Sequence, residues 1–189
     1  MVSGIIFDMD GTIVDSLPYH HEAWRIFFEE NKVEDFSEKL KKYKGGGTLD
    51  LMKAVYGDIY SLEELKKMSD DKEIIFRDIY RGNIVPIDGY LEFLNEMKSK
   101  NILVGIASNA IKLNVDLTLK ELGIYDLFDS IICGDEVNYG KPNPEMFNKT
   151  ISYFKSNERG KPTLRKVCSK SLPRLDCQPI WPPNVSSNP

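Results

Sequence analysis

The stretch Ile5-Ile6-Phe7-Asp8-Met9-Asp10-Gly11-Thr12 decides how the chain is read. Three consecutive apolar residues, two of them β-branched, predict a short strand buried on both faces, as in a parallel sheet. The strand runs straight into two carboxylates with one residue between them. Alternation along an extended backbone sends Asp8 and Asp10 the same way, and Gly11 then lets the chain turn sharply. Open α/β sheets bind ligands at the carboxyl ends of their strands, so both acids lie where a reaction is expected. Like charges this close are costly unless a cation or a metal-bound anion offsets them. The competing reading is a plain turn, because Asp and Gly are common turn residues. A calcium loop is disfavoured: counting from Asp8, its twelfth position calls for Glu and holds Tyr19.

Beyond Asp15 the pattern becomes helical. Residues 17–31 carry Ala23, Trp24, Phe27 and Phe28 at helical spacing, and residues 34–43 predict a second helix. Gly45-Gly46-Gly47 is a break, after which Thr48 is expected to cap a helix over residues 49–56. Ser61-Leu62-Glu63-Glu64 has the capping-box form and opens a helix that Gly82 ends. An α/β pattern then resumes. Asp88 is expected to cap a helix carrying Leu91, Phe93, Leu94 and Met97. Residues 102–107 form a second buried strand ending at Ser108-Asn109, and residues 115–122 a helix stopped by Gly123. A third strand covers residues 130–133, and Pro144 starts a helix to about Phe154. Strands separated by helices imply parallel pairing. The expected fold class is therefore α/β: a Rossmann-like parallel-sheet core from residues 1–15 and 84–155, with an all-helical cap inserted over residues 16–83.

Hydrophobic residues make up 41% of the 189, enough for a real core. No apolar run approaches the ~20 residues of a membrane span, and the first residues lack the pattern of a secretory signal. Cys133, Cys168 and Cys177 are odd in number and have no ligand spacing, which points to reduced thiols and a cytoplasmic location. The net charge of −4 hides an asymmetry: residues 155–189 hold seven Lys/Arg against two acids, and six of the ten prolines. Residues 156–189 thus read as an irregular or disordered basic tail. No nucleic-acid motif is present. Neither nucleic acid nor membrane is expected as a partner, and a monomer is expected.

Phosphoryl transfer needs an in-line nucleophile, cations around the phosphoryl oxygens and a proton donor for the leaving oxygen. Candidates for each stand at the ends of the three strands. Asp8 is the candidate nucleophile, since a carboxylate can form an aspartyl-phosphate, and Asp10 is the candidate general acid/base. Ser108 offers a hydroxyl, and Asn109 a backbone N–H and an amide, to phosphate oxygens; a solvated Ser-Asn turn is the alternative. Lys141, in Gly140-Lys141-Pro142-Asn143-Pro144, sits on a stiffened loop where its ammonium can neutralise phosphate and Asp8. An ordinary surface lysine is the alternative there. His20 and His21 lack a spaced partner and read as packing or surface of the helical insertion rather than as metal ligands or bases.

Asp8-Met9-Asp10-Gly11-Thr12 resembles the first signature of the haloacid dehalogenase superfamily, and Asp15-Ser16 continues it in the manner of the β-phosphoglucomutase-like phosphatases. Ser108 matches the second motif of that family, and Gly134-Asp135-Glu136-Val137 through Gly140-Lys141-Pro142-Asn143-Pro144 resembles the third. The resemblance extends to about Phe154. It implies the roles given above for Asp8, Asp10, Ser108 and Lys141, and implies that the Asp8 carboxylate and the Asp10 backbone carbonyl bind Mg2+. It also implies that the cap loop at Gly45, Gly46 and Gly47 contacts substrate, with a helix-breaking linker as the alternative. The family's fourth motif, a strand ending in an acidic pair, should fall roughly 25–35 residues beyond Lys141. That window holds Lys166-Val167-Cys168-Ser169-Lys170-Ser171-Leu172-Pro173 and no acid, so a truncated or divergent C-terminus is expected. The implied activity is Mg2+-dependent hydrolysis of a small phosphorylated metabolite, such as a sugar phosphate, through an aspartyl-phosphate. The alternatives are a β-phosphoglucomutase-type phosphotransferase and an impaired member acting as a binding protein. Dehalogenation is not expected, because the family's dehalogenases lack an acid at the place of Asp10.

Overall fold

The computed structural model describes residues 4–34, 38 and 47–157. Strand β1 (Gly4–Phe7) is buried along its whole length. It pairs in parallel with β2 (Leu103–Ala107), placing Ile5 opposite Val104 and Phe7 opposite Ile106. Strand β2 pairs in parallel with β3 (Ser130–Ile132), so the described sheet has the order β1-β2-β3. Its strands read as continuous apolar runs because helices cover both faces. Ile5, Phe7, Val104 and Ile106 point to one face and pack with Leu94 of α4 (Tyr90–Ser99) and with Val115 and Leu119 of α5 (Lys112–Glu121). Ile6 and Ala107 point to the other face and pack with Met146, Phe147 and Phe154 of α6 (Glu145–Asn157). Gly105, in the middle strand, lets α6 lie close: a Cβ there would come within 2.6 Å of Thr150 Cγ2 and 3.0 Å of Phe154 Cζ.

Between β1 and β2 the chain is helical, as its periodicity requires. Helices α1 (Leu17–Glu30), α2 (Thr48–Tyr56) and α3 (Leu62–Tyr80) enclose Trp24, Phe27, Phe28, Leu51, Met52, Val55 and Leu65. A second cluster, Ala23, Phe76 and Tyr80, reaches Ile84. The fold is thus α/β, a parallel sheet whose first crossover carries a helical insertion.

The helix ends differ from expectation where long-range partners intervene. Ser61 and Glu64 form the reciprocal cap, with Ser61 N–H donating to the Glu64 carboxylate at 2.8 Å. Thr48, by contrast, is already inside α2. Gly47 is the N-cap, its N–H donating to Asp50 Oδ2 at 3.1 Å, and the Thr48 hydroxyl goes to Glu73 at 2.5 Å. Asp88 does not cap α4 either; Gly89, at φ +77°, makes the turn into that helix. Helix α5 begins at Lys112, three residues earlier than periodicity suggests, because its first N–H finds Asp135 Oδ1 at 3.0 Å from the loop after β3. Helix α6 continues to Asn157 rather than stopping near Phe154. The helix expected over residues 34–43, together with Gly45, Gly46, Cys168, Cys177 and residues 158–189, lies outside the described residues. Cys133 is a buried free thiol. Among the described residues no helix is long and apolar enough to cross a membrane.

Candidate active site

Strand β1 delivers Asp8 at its end, and the backbone then closes tightly. Thr12 and Ile13 both donate to the Met9 carbonyl (3.1 and 2.8 Å), and Gly11 N–H donates to Val14 O at 2.7 Å. Gly11 sits at φ +72°, a conformation costly for any residue with a Cβ. Met9, Ile13 and Val14 are buried beneath this loop. The two acids therefore project from a segment pinned by both hydrogen bonds and apolar packing.

The loop after β3 brings in the cation. Lys141 Nζ lies 2.6 Å from Asp8 Oδ1 and donates to the Ala107 carbonyl, at the end of β2, at 3.1 Å. Its side chain is only 7% exposed, which rules out the surface-lysine alternative. Asp8 Oδ1 also accepts the Met9 N–H at 2.8 Å. Asn109 fastens the lysine loop: its Oδ1 accepts Lys141 N–H at 2.8 Å, and its Nδ2 donates to Lys141 O at 3.4 Å. The amide expected to face phosphate is thus engaged with the backbone that positions the ammonium. Ser108 is fully buried, and its Oγ accepts the Ala110 N–H at 3.1 Å. Accepting there leaves the hydroxyl hydrogen to be donated elsewhere, so the turn geometry and a phosphate contact are compatible.

Asp10 takes a short hydrogen bond from the Ser16 hydroxyl. Ser16 heads α1 without capping it, because its side chain is spent on Asp10. Burial raises the Asp10 carboxyl above the usual carboxylate range. The Ser16 hydrogen bond opposes that shift, the Asp8 charge adds to it, and Lys141 opposes it. A raised carboxyl holds its proton more readily, as a general acid must. The structure therefore brings Asp8, Asp10, Ser108, Asn109 and Lys141 to one end of the sheet.

The Mg2+ donors implied by the family resemblance, the Asp8 carboxylate and the Asp10 backbone carbonyl, are both hard oxygens. Among the described residues no group of three or more His, Cys, Asp or Glu gathers to hold a metal. Mg2+ is commonly held by one or two carboxylates while keeping several waters and bridging to substrate phosphate. This donor set fits it in that hydrated form.

A buried polar network beside the site was not foreseen. On α3, the Glu73 carboxylate accepts from Lys72 Nζ (3.2 Å), the Thr48 hydroxyl (2.5 Å) and Asn114 Nδ2 of α5 (2.7 Å). Arg77 Nη1 donates to Asn114 Oδ1 at 2.9 Å, a second tie between the helical insertion and α5. Lys72 is 1% exposed, lies over the Trp24 ring at 5.0 Å and approaches His20 Nδ1 to 2.9 Å. His20 stacks on Phe76 with ring centroids 3.8 Å apart. Burial, with the Lys72 charge next, lowers its pKa to about 3, leaving a neutral imidazole whose Nδ1 accepts from the ammonium. His20 thus packs as expected, and His21 is exposed. One signal was available: residues 72, 76 and 80 recur every four positions, placing Lys72 on the same helical stripe as Phe76 and Tyr80.

Removing one partner from a buried ion pair strands the other. Glu73→Ala is expected to cost about 3–5 kcal/mol, read as a lower urea midpoint, whereas Glu73→Gln, which keeps one oxygen to accept the Thr48 hydroxyl and Lys72 but turns an NH2 toward Asn114 Nδ2, should cost less. A loss under ~1 kcal/mol, the size of an exposed pair, would show that the network does not hold the insertion to α5.

Comparison with known proteins agrees with the geometry. The sequence model of the haloacid dehalogenase-like hydrolase family matches residues 5–160. The chain is 29% identical over 150 residues to a phosphorylated carbohydrates phosphatase of Thermotoga maritima, covering 77% of this chain and 68% of the relative. It is 27% identical over 155 residues to a β-phosphoglucomutase of Bacillus subtilis, covering 77% of this chain and 67% of the relative. Among solved structures, a β-phosphoglucomutase of Clostridium difficile superposes with a TM-score of 0.68 at 27% identity, over 82% of this chain and 72% of that one. With the family model spanning both the sheet and the helical insertion, the chain belongs to the haloacid dehalogenase-like hydrolases.

Proposed function

We propose that this enzyme is a Mg2+-dependent phosphomonoester hydrolase that acts on a small phosphorylated metabolite, a sugar phosphate, through an aspartyl-phosphate on Asp8. The observation that carries the reading is the 2.6 Å approach of the enclosed Lys141 ammonium to Asp8, at the sheet end where ligands bind. An Asp8 carboxylate oxygen attacks phosphorus as the ester P–O bond breaks, and Asp10 gives its proton to the departing alkoxide. The Asp10 carboxylate then takes a proton from water, whose oxygen attacks the phosphorus on Asp8, releasing inorganic phosphate and restoring both acids. Lys141 and Ser108 hold the non-bridging oxygens throughout. Mg2+, held through the Asp8 carboxylate and the Asp10 carbonyl, would supply further neutralisation of phosphoryl charge. Residues 16–83 serve as a cap that limits bulk water at the site. The Thermotoga relative, named for phosphorylated carbohydrates, supports the substrate class. A cytoplasmic monomer completes the reading.

The test is phosphate release from sugar phosphates by the full chain, with Mg2+ and with a chelator. Asp10→Asn should slow the hydrolysis of sugar phosphates by about 10²–10⁴-fold, the usual worth of a placed general acid. The loss should be smaller for p-nitrophenyl phosphate, whose phenolate leaves without a proton. Equal losses on both substrates would remove Asp10 from the acid role. Transfer to a second sugar hydroxyl without phosphate release would replace the hydrolase by a mutase. No turnover of either substrate by folded protein would end the reading.

A further inference from the structure

We propose that Glu145 is a positioning residue for the reaction: its carboxylate holds the loop that carries Lys141, and so sets where the ammonium stands against Asp8 and the phosphate. The inference rests on the phosphatase reading and adds a residue to its machinery. The loop itself has little apolar contact to hold it. Residues 138–140 are exposed, and Tyr139 leaves 67% of its surface to solvent. A segment with so few buried contacts opens readily unless hydrogen bonds tie it down. Yet the residue that follows, Lys141, has its ammonium fixed 2.6 Å from Asp8 in an enclosed site. Polar contacts must therefore set the path of this backbone.

Glu145 supplies them. It stands in the first turn of α6, a helix seated on the sheet by the buried Met146 and Phe147. From that base its Oε1 accepts the Asn138 N–H at 3.2 Å, and its Oε2 accepts the Tyr139 N–H at 3.1 Å. Two consecutive amides thus share one carboxylate, in bonds strengthened by its charge. Lys149, one turn along α6, lies 3.3 Å from Glu145 Oε1 and donates to the Glu136 carbonyl at 2.7 Å, which pins both the carboxylate and the start of the loop. From the opposite side Asn109 grips the backbone of Lys141. Gly140 leaves room for that grip, since a Cβ there would stand 2.8 Å from Asn109 Oδ1. The lysine is held from β2 at its own backbone and from α6 two and three residues earlier. A carboxylate is acceptor-only, and its charge repels phosphate, so Glu145 acts through the loop and not as a phosphate ligand.

The test is the kinetics of Glu145→Ala on glucose 6-phosphate and p-nitrophenyl phosphate, at a temperature where circular dichroism shows the variant folded. Its kcat/KM should fall about tenfold or more on both, since a displacement of about 1 Å can cost ~10²-fold and Asn109 still holds part of the loop. With the ammonium misplaced, KM should rise as kcat falls. A merely structural role would shrink the folded fraction, lowering kcat at unchanged KM. The second readout is a double-mutant cycle: in a Lys141→Ala background, Glu145→Ala should change kcat/KM by less than about twofold, because no ammonium is left to misplace. If Glu145→Ala does not fold, Glu145→Gln, which keeps one accepting oxygen and turns an NH2 toward the other N–H, takes its place in both readouts. Where Lys141→Ala itself is too slow to measure, the behaviour of KM against kcat decides. An unchanged kcat/KM, a fall in kcat alone, or equal losses in the two backgrounds overturns the role of Glu145. Any of those results with either substrate still hydrolysed by wild type leaves the phosphatase reading standing. Failure of wild type on every substrate removes both.

Discussion

Asp8→Asn is expected to lower phosphate release by about 10⁴-fold or more, the scale on which loss of a covalent nucleophile registers in hydrolases. That corresponds to roughly 5.5 kcal/mol of barrier. The amide is nearly isosteric and keeps an oxygen to accept the Met9 N–H, which Asp8 Oδ1 now accepts at 2.8 Å. It has no negative charge with which to attack phosphorus, and it gives up the ion pair with Lys141. The first-strand loop, held by Met9, Ile13 and Val14, is expected to keep its shape. The loss should therefore appear in rate, with an unchanged circular dichroism spectrum. Rapid quench with radiolabelled substrate should trap a hydroxylamine-sensitive phosphoenzyme in wild type and none in the variant. Retention of more than a tenth of the wild-type rate by Asp8→Asn would mean that the phosphoryl group never passes through this carboxylate.

Lys141→Ala carries the second large effect, a fall of about 10²–10³-fold in kcat/KM, comparable to removing one preorganised donor from a charged transition state. The ammonium sits enclosed between the Asp8 carboxylate and the Ala107 carbonyl, where low dielectric makes each charge contact count for more than in water. It touches phosphate in both ground and transition states, so KM should rise and kcat fall together. Removal also leaves Asp8 and Asp10 facing each other without their cation. Because Lys141 is among the groups that hold the Asp10 carboxyl down, Asp10 should titrate still higher in the variant. Lys141→Arg should not restore activity: the guanidinium is planar and broader, and the enclosed space suits a compact ammonium. If Lys141→Ala keeps kcat/KM within about threefold, well short of that expectation, the lysine merely stabilises the sheet end and the phosphate site lies elsewhere.

The three strands were legible because burial on both faces writes uninterrupted apolar runs such as Ile5-Ile6-Phe7. The helical insertion was legible because Ala23, Trp24, Phe27 and Phe28 keep a helical period. Local caps were read well only where both partners are close in sequence, as at Ser61 and Glu64. Where the partner is distant, as Asp135 is for Lys112 or Glu73 is for Thr48, the predicted end was displaced. The Lys72–Glu73 pair escaped notice for a related reason: adjacent charges on a helix usually face water, and these two became internal only because α1, α2 and α5 surround them.

Taken alone, the order of residues determined the class of fold, the buried strands, the paired acids after the first of them and the Gly-Lys-Pro loop, since period and motif are properties of the covalent chain. Tertiary structure alone decided that Lys141 would stand 2.6 Å from Asp8, that Asn109 would hold the lysine loop and that Ser16 would hold Asp10. The physical reason is that ion pairing and hydrogen bonding depend on separation and burial. Neither is set by spacing along the chain; both arise only when the strands, the loops and the helical insertion pack together.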